Sequence, residues 1–179
     1  MKHCWTSLVI TGITSLILMG CSTTTTATDW FVGDTLVLRV KEMRLVEEIR
    51  YSIEGEHYLI RPSREGRRLA AAHLEIQNSK ATIAYFSVGK NSARLRDDSF
   101  LDYRVLAPFE EREKVEEARP GEDTILPFIW GDVALPSKCG EPGLESRCEL
   151  DGWILFEVPS DIKFYQLIWE AGDAVYLRF

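Results

Sequence analysis

The chain has 179 residues, 28 acidic against 21 basic side chains, a net charge of −7 and 45% apolar residues. Such a length fits one domain able to bury its own core, and the acidic balance works against a nucleic-acid partner, whose phosphates it repels. It works equally against adhesion to anionic lipid through the general surface.

In chain order, Lys2 and His3 open a short positive region, an uncharged run follows over residues 8–19, and Gly20-Cys21 closes it. The run has the length of a secretory signal core and is too short to span a bilayer comfortably. Leu18-Met19-Gly20-Cys21 resembles a bacterial lipobox. The resemblance implies removal of residues 1–20, a diacylglycerol on the Cys21 thiol, and acylation of the new N-terminus by a chain such as palmitate. One acyl chain binds a membrane only marginally, whereas two or three hold a protein lastingly. Ser22 resembles the default for outer-membrane sorting in double-membraned bacteria. The expected location is therefore the cell envelope, as a membrane-anchored lipoprotein, facing the periplasm from the outer membrane if the source has two membranes. No later run approaches about 18 consecutive apolar residues, so lipid is the expected attachment.

Residues 21–29 are small and polar and read as a lipidated tether, with order beginning at Trp30. A single domain is expected over residues 30–179. Gly33-Asp34 turns the chain into an extended stretch over 35–40, and further strands are expected over 45–52 and 58–60. Arg61, Arg64, Arg67 and Arg68 follow in a basic loop. It reads either as an anion site for a carboxylate, phosphate or lipid headgroup, or as a solvated hairpin loop. Over residues 69–77, Ala70, Ala72, Leu74 and Ile76 share one face, which is expected on the core. After the turn at 78–80 come strands over 81–88, 93–97 and 103–106. Residues 110–119 are dense in charge and read as a short solvated helix or loop. Residues 124–130 are strand-like, although Pro127 demotes them to an edge or bulge. Phe128, Ile129 and Trp130 supply more apolar mass than a surface loop needs. Exposed, they make a protein-binding patch; tucked against the sandwich, they are extra core. Cys139 and Cys148 form an even pair in an exported chain and read as a disulfide around a turn-rich loop. Strands over 153–158, 164–169 and 174–179 end the chain.

About nine short strands with regular turn signals favour an all-β antiparallel sandwich, with a barrel of similar strand number as the alternative. Four motifs then occur in order: Val32-Gly33-Asp34-Thr35, Leu74-Glu75-Ile76-Gln77-Asn78, Arg119-Pro120-Gly121-Glu122, and the closing Gly152-Trp153-Ile154-Leu155-Phe156-Glu157-Val158-Pro159. Together they resemble the immunoglobulin-like domain of unknown function found in many bacterial lipoproteins, related to the mycobacterial immunoprotective extracellular antigen. The resemblance implies an immunoglobulin-like β-sandwich with at most one short helix. Residues 123–151, with the cysteine pair, stand as an insertion where that family runs almost directly from Pro-Gly-Glu into the Gly-Trp strand. It implies a binding or structural module and carries no catalytic residues to transfer.

Chemistry-bearing residues are sparse. His57 stands beside Glu54 and Glu56, too few partners for a metal, and reads as a solvated turn. His73 falls on the polar face of its strand. Asp97-Asp98 is a pair of acids that Arg94 and Arg96 are placed to neutralise. No nucleophile elbow, zinc-helix, phosphate-loop or calcium-loop pattern occurs. The expected protein is non-enzymatic, uses no cofactor or metal, and binds another envelope protein through loops and an open sheet edge. A small-ligand or anion carrier is the alternative, and an envelope enzyme the third reading.

Overall fold

The computed structural model describes residues 25–117, 123–137 and 148–179. The expected signal segment, Cys21, the turn at 120–122 and Cys139 lie outside them. In chain order the strands are β1 (Thr25–Val32), β2 (Leu36–Val46), β3 (Ile49–Ile53), β4 (Glu56–Ile60), β5 (Arg67–Asn78), β6 (Ile83–Val88) and β7 (Ala93–Asp97). They continue with β8 (Asp102–Leu106), β9 (Arg112–Val115), β10 (Gly131–Pro136), β11 (Glu149–Pro159), β12 (Phe164–Trp169) and β13 (Val175–Arg178). The protein is all-β and antiparallel, with no helix among the described residues. Eight strands form one sheet in the order β1-β2-β5-β11-β8-β7-β12-β13, while β6 pairs β10 and β3-β4-β9 form a third sheet. Because β13 lies against β1 and β2, the large sheet nearly closes on itself as a barrel does.

The alternation at Ala70, Ala72, Leu74 and Ile76 does place that face of β5 in the main core. On β2 the buried residues are Leu36, Leu38 and Val40, then Met43 and Leu45. The change of phase comes from a bulge: Val40 faces Leu74 and Glu42 faces His73, so Lys41 is an extra residue. Without it, Met43 and Leu45 would point to the opposite face. Phe156 and Trp169 complete this core with Ala84, Phe86, Val88 and Leu135 from β6 and β10.

The opposite face of β5 is only half polar. Leu69 and Ala71 are buried there with Trp153 and Leu155 of β11, under Ile49, Tyr51 and Ile60 of the small sheet and Ile125. Three expectations change in consequence. Residues 112–115 are a strand and not a helix, because β9 pairs β4 and its charges find partners there: Arg112 lies 3.9 Å over the Tyr58 ring and Lys114 bonds Glu56. The end of the expected tether is ordered, since β1 begins at Thr25, opposite Met43, and supplies β2 with a neighbour. Residues 124–130 form no strand. They contribute one bridge, with the Ile129 amide donating to the Trp153 carbonyl at 2.9 Å and the Trp153 amide to Pro127 at 2.8 Å.

Antiparallel pairing sorts the turns between two poles. The start of β1 shares its pole with the turns at 61–66, 98–101 and 160–163. The turns at 33–35, 89–92 and 170–174 share the other, where Asp173 crosses the seam. Its carboxylate accepts from the Thr35 and Leu36 amides at 2.7 and 2.8 Å. Gly33 is required beside it, because a Cβ there would run into that carboxylate and come within 2.7 Å of Val175.

Candidate functional site

Among the described residues, a histidine and several acids meet on the outer face of β2, β5 and β11. Register puts Arg39, Glu75 and Asp151 in one row across the three strands, and Glu42, His73 and Trp153 in the next. Two carboxylates directly opposite each other, as in Glu75 and Asp151, are unfavourable unless cations intervene. Here they do. Arg39 Nε donates to Glu75 at 2.6 Å, and Lys41, turned out by the bulge, reaches over β5 to Asp151 at 2.6 Å. His73 Nε2 meets the other Asp151 oxygen at 2.6 Å. Burial works to raise the Asp151 carboxyl, but bonds from Lys41 and His73 outweigh it and hold the group below the ordinary carboxylate range.

Aromatic rings frame this strip. The His73 ring stacks on Trp153 at 4.5 Å, the Arg44 guanidinium covers the same indole at 4.8 Å, and Arg39 lies 4.7 Å from the Trp30 ring. Oxygens of Glu75, Glu149 and Asp151 come within 4.8 Å of one another, a spacing acids use for a hard cation. Protein groups already compensate each of them: Arg39 for Glu75, Gln77 for Glu149 at 3.1 Å, and Lys41 with His73 for Asp151. The arrangement suits charge-paired recognition of a polar chain better than ion capture.

The two ion pairs of the strip should differ in weight. Glu75 is 3% exposed, while Lys41 and Asp151 are both well solvated. Arg39→Met is therefore expected to cost about 1–3 kcal/mol, since it leaves a buried carboxylate short of its donor. Lys41→Met should cost less than about 1 kcal/mol. Urea titration of the two variants checks the order.

Comparison of the chain with models of known protein families, with curated proteins and with solved structures finds no match.

The residues singled out from the sequence fall elsewhere. Arg61 pairs with Glu48, Arg68 approaches Glu47 and Arg67 lies over Tyr103, so three of the four loop arginines turn to separate partners, while Arg64 is exposed. Ile129 is buried, and Phe128 and Trp130 are half-buried against the two cores, Phe128 through edge contacts on Tyr51 and Phe109. The segment packs as extra core and not as an exposed patch. His57 Nδ1 meets Ser52 Oγ at 2.9 Å. Asp97 is not neutralised by Arg94 or Arg96, which bond Asp102 and Glu170; it caps its own turn and accepts the Tyr103 hydroxyl at 2.8 Å. Cys148 is buried. A cleft of about 590 Å³ opens beside it between β10 and β11, lined by Ile129, Val133, Leu135 and Leu150. It lies at the far end of β11 from Arg64, whose loop meets that strand at Glu157.

Proposed function

We propose that the protein is a lipid-anchored envelope domain of the immunoglobulin-like lipoprotein type, and that it binds another envelope protein without catalysing a reaction. The observation that carries the binding reading is the outer strip of β2, β5 and β11, where Arg39, Lys41 and Asp151, with the His73 ring beside them, form a pre-organised charged cluster between Trp30 and Trp153. Pre-organised charges fix register and partner choice at an interface. A general acid needs a carboxyl that keeps its proton near neutral pH. Asp151 is shifted the other way, as is Glu42, bonded by Arg44. Contact with the partner moves from the expected Trp130 segment to this strip.

A photo-cross-linker at Lys41 in cells is expected to capture one dominant envelope protein, and Asp151→Lys should abolish that product. Equal capture of abundant neighbours from Lys41 and from Asn91, at the far pole, would overturn the reading.

The anchor is Cys21, which would carry the lipid once residues 1–20 are removed. Cys21→Ser is expected to remove the acyl mass from the purified chain; a wild-type chain that carries no acyl mass refutes the anchor. Cys148 is assigned to Cys139, closing a loop short enough to contribute only about 2–3 kcal/mol. The cleft beside Cys148 favours a second reading, carriage of a small ligand, under which the native mass of the purified chain would exceed that of the protein with its lipid.

A further inference from the structure

The turn between β7 and β8 carries two large apolar side chains into solvent, Phe100 at 65% and Leu101 at 59% exposure. Turn tips usually hold Gly, Asn, Asp or Ser, and Phe100 moreover sits at φ 63°, a region that a bulky residue seldom occupies. The tip is held rigidly. Asp97 Oδ1 accepts from the Ser99 and Leu101 amides at 2.9 Å, the Phe100 amide donates to the Asp97 carbonyl at 3.1 Å, and the Asp98 amide donates to Lys163 of the next turn at 3.1 Å. The ring of Phe100 rests edge-on against Tyr165 at 5.3 Å. Packing within the domain thus accounts for the turn's shape and leaves the two apolar groups unexplained.

Topology supplies the occupant. This tip lies at the pole where β1 begins, beside the turn at 160–163 and the loop with Arg64 and Arg67. Only residues 22–24 separate Cys21 from Thr25. Four residue steps reach at most about 14 Å, so a lipid on Cys21 keeps this pole against the bilayer. We infer that Phe100 and Leu101 insert into the interfacial layer of the membrane that holds the lipid anchor, giving the domain a second contact and a fixed orientation. The inference rests on the reading of Cys21 as lipidated. Aromatic side chains favour the headgroup level, and Lys163, Arg64 and Arg67 around the tip suit the phosphates beside it. Glu65, Asp98 and Asp161 stand at the same pole, so apolar insertion and not net charge is the driving term. The outer strip then lies along the side of the domain, accessible to a partner.

The test uses the full lipidated, oxidised chain in vesicles of phosphatidylethanolamine and phosphatidylglycerol. An environment-sensitive fluorophore is placed on Ser99→Cys or on Asn91→Cys at the far pole. Mass spectrometry first establishes the acyl chains on Cys21, and a chain without them overturns the anchor and this inference together. With the lipid present and the protein floating with vesicles, emission from position 99 is expected to shift to the blue and be quenched by brominated acyl chains, while position 91 stays aqueous. Adding Phe100→Asp should return position 99 to the aqueous spectrum without loss of flotation. Equal aqueous spectra at 99 and 91 in the floating wild type overturn the inference and leave the anchor standing.

Discussion

Asp173→Ala is expected to loosen the seam of the large sheet and cost about 2–4 kcal/mol, from the charge-assisted bonds lost and the backbone donors of Thr35, Leu36 and Ala174 left short of a partner. The carboxylate stands in the turn between β12 and β13 yet accepts from Thr35 and Leu36 at the start of β2, more than 130 positions away in the chain. Its other oxygen takes the Ala174 amide at 2.8 Å, which holds its own turn. The neighbouring Asp34→Ala, at an exposed site, should change stability by no more than about 0.5 kcal/mol. Burial tends to raise the Asp173 carboxyl, and the backbone donors Leu36, Thr35, Asp34 and Ala174 overcome it, leaving the group below its ordinary value. A depressed carboxyl stabilises the fold above the unfolded value, about pH 4, and that contribution disappears as pH falls through the folded value. Asp173→Asn should therefore lose stability at neutral pH and show a shallower decline below pH 4. Urea midpoints across that range measure both effects. An unchanged acid limb would show that the seam is held by packing alone.

Trp153→Ala should cost still more, about 3–5 kcal/mol, the range for emptying a buried aromatic site. The indole is 3% exposed and joins the second core beneath the small sheet. Its outer face receives both His73 and Arg44, so truncation also removes the surface that orients His73 toward Asp151. Trp153→Phe keeps part of the volume and is expected to recover more than half of the loss. Neither change touches the backbone bonds from Trp153 to Pro127 and Ile129. A sharper test of those bonds is Gly152→Ala, where a new Cβ would stand 2.7 Å from the Pro127 carbonyl and displace the segment. NMR of the His73 ring separates the two mechanisms, because only the tryptophan variants remove or shrink the ring it stacks on.

What the sequence made legible was whatever one strand carries by itself. The alternation of Ala70, Ala72, Leu74 and Ile76 is a property of a single strand, and so are the turn residues at 33–34 and 78–80. The bulge at Lys41 left no mark, because its effect is to exchange which residues of β2 face inward, visible only against Leu74 and His73 across the ladder. The acidic run at 110–119 misled for the same reason. Charge density suggests a solvated helix, yet Arg112 and Lys114 alternate toward partners on β4 that lie more than 50 positions earlier. His73 was placed correctly on the polar face, but its partner Asp151 is 78 positions away and no local spacing joins them. Phe128 and Ile129 looked surplus to a loop; Ile129 fills the main core, and Phe128 packs on a second one whose lid, the small sheet, could not be foreseen from one strand.

The mutual approach of β1 and β13 bears on how any partner must read this molecule. An open sheet edge, as the strand pattern suggested, would invite recognition by strand addition, which depends on main-chain amides and is tolerant of sequence. In the large sheet the two end strands face each other, and β2, β5 and β11 each have neighbours on both sides. A protein docking on the strip therefore meets side chains, not a ladder of amides. Its discrimination would lie in where it places acids and bases opposite Arg39, Lys41 and Asp151, and single charge reversals on either surface should be enough to switch partners.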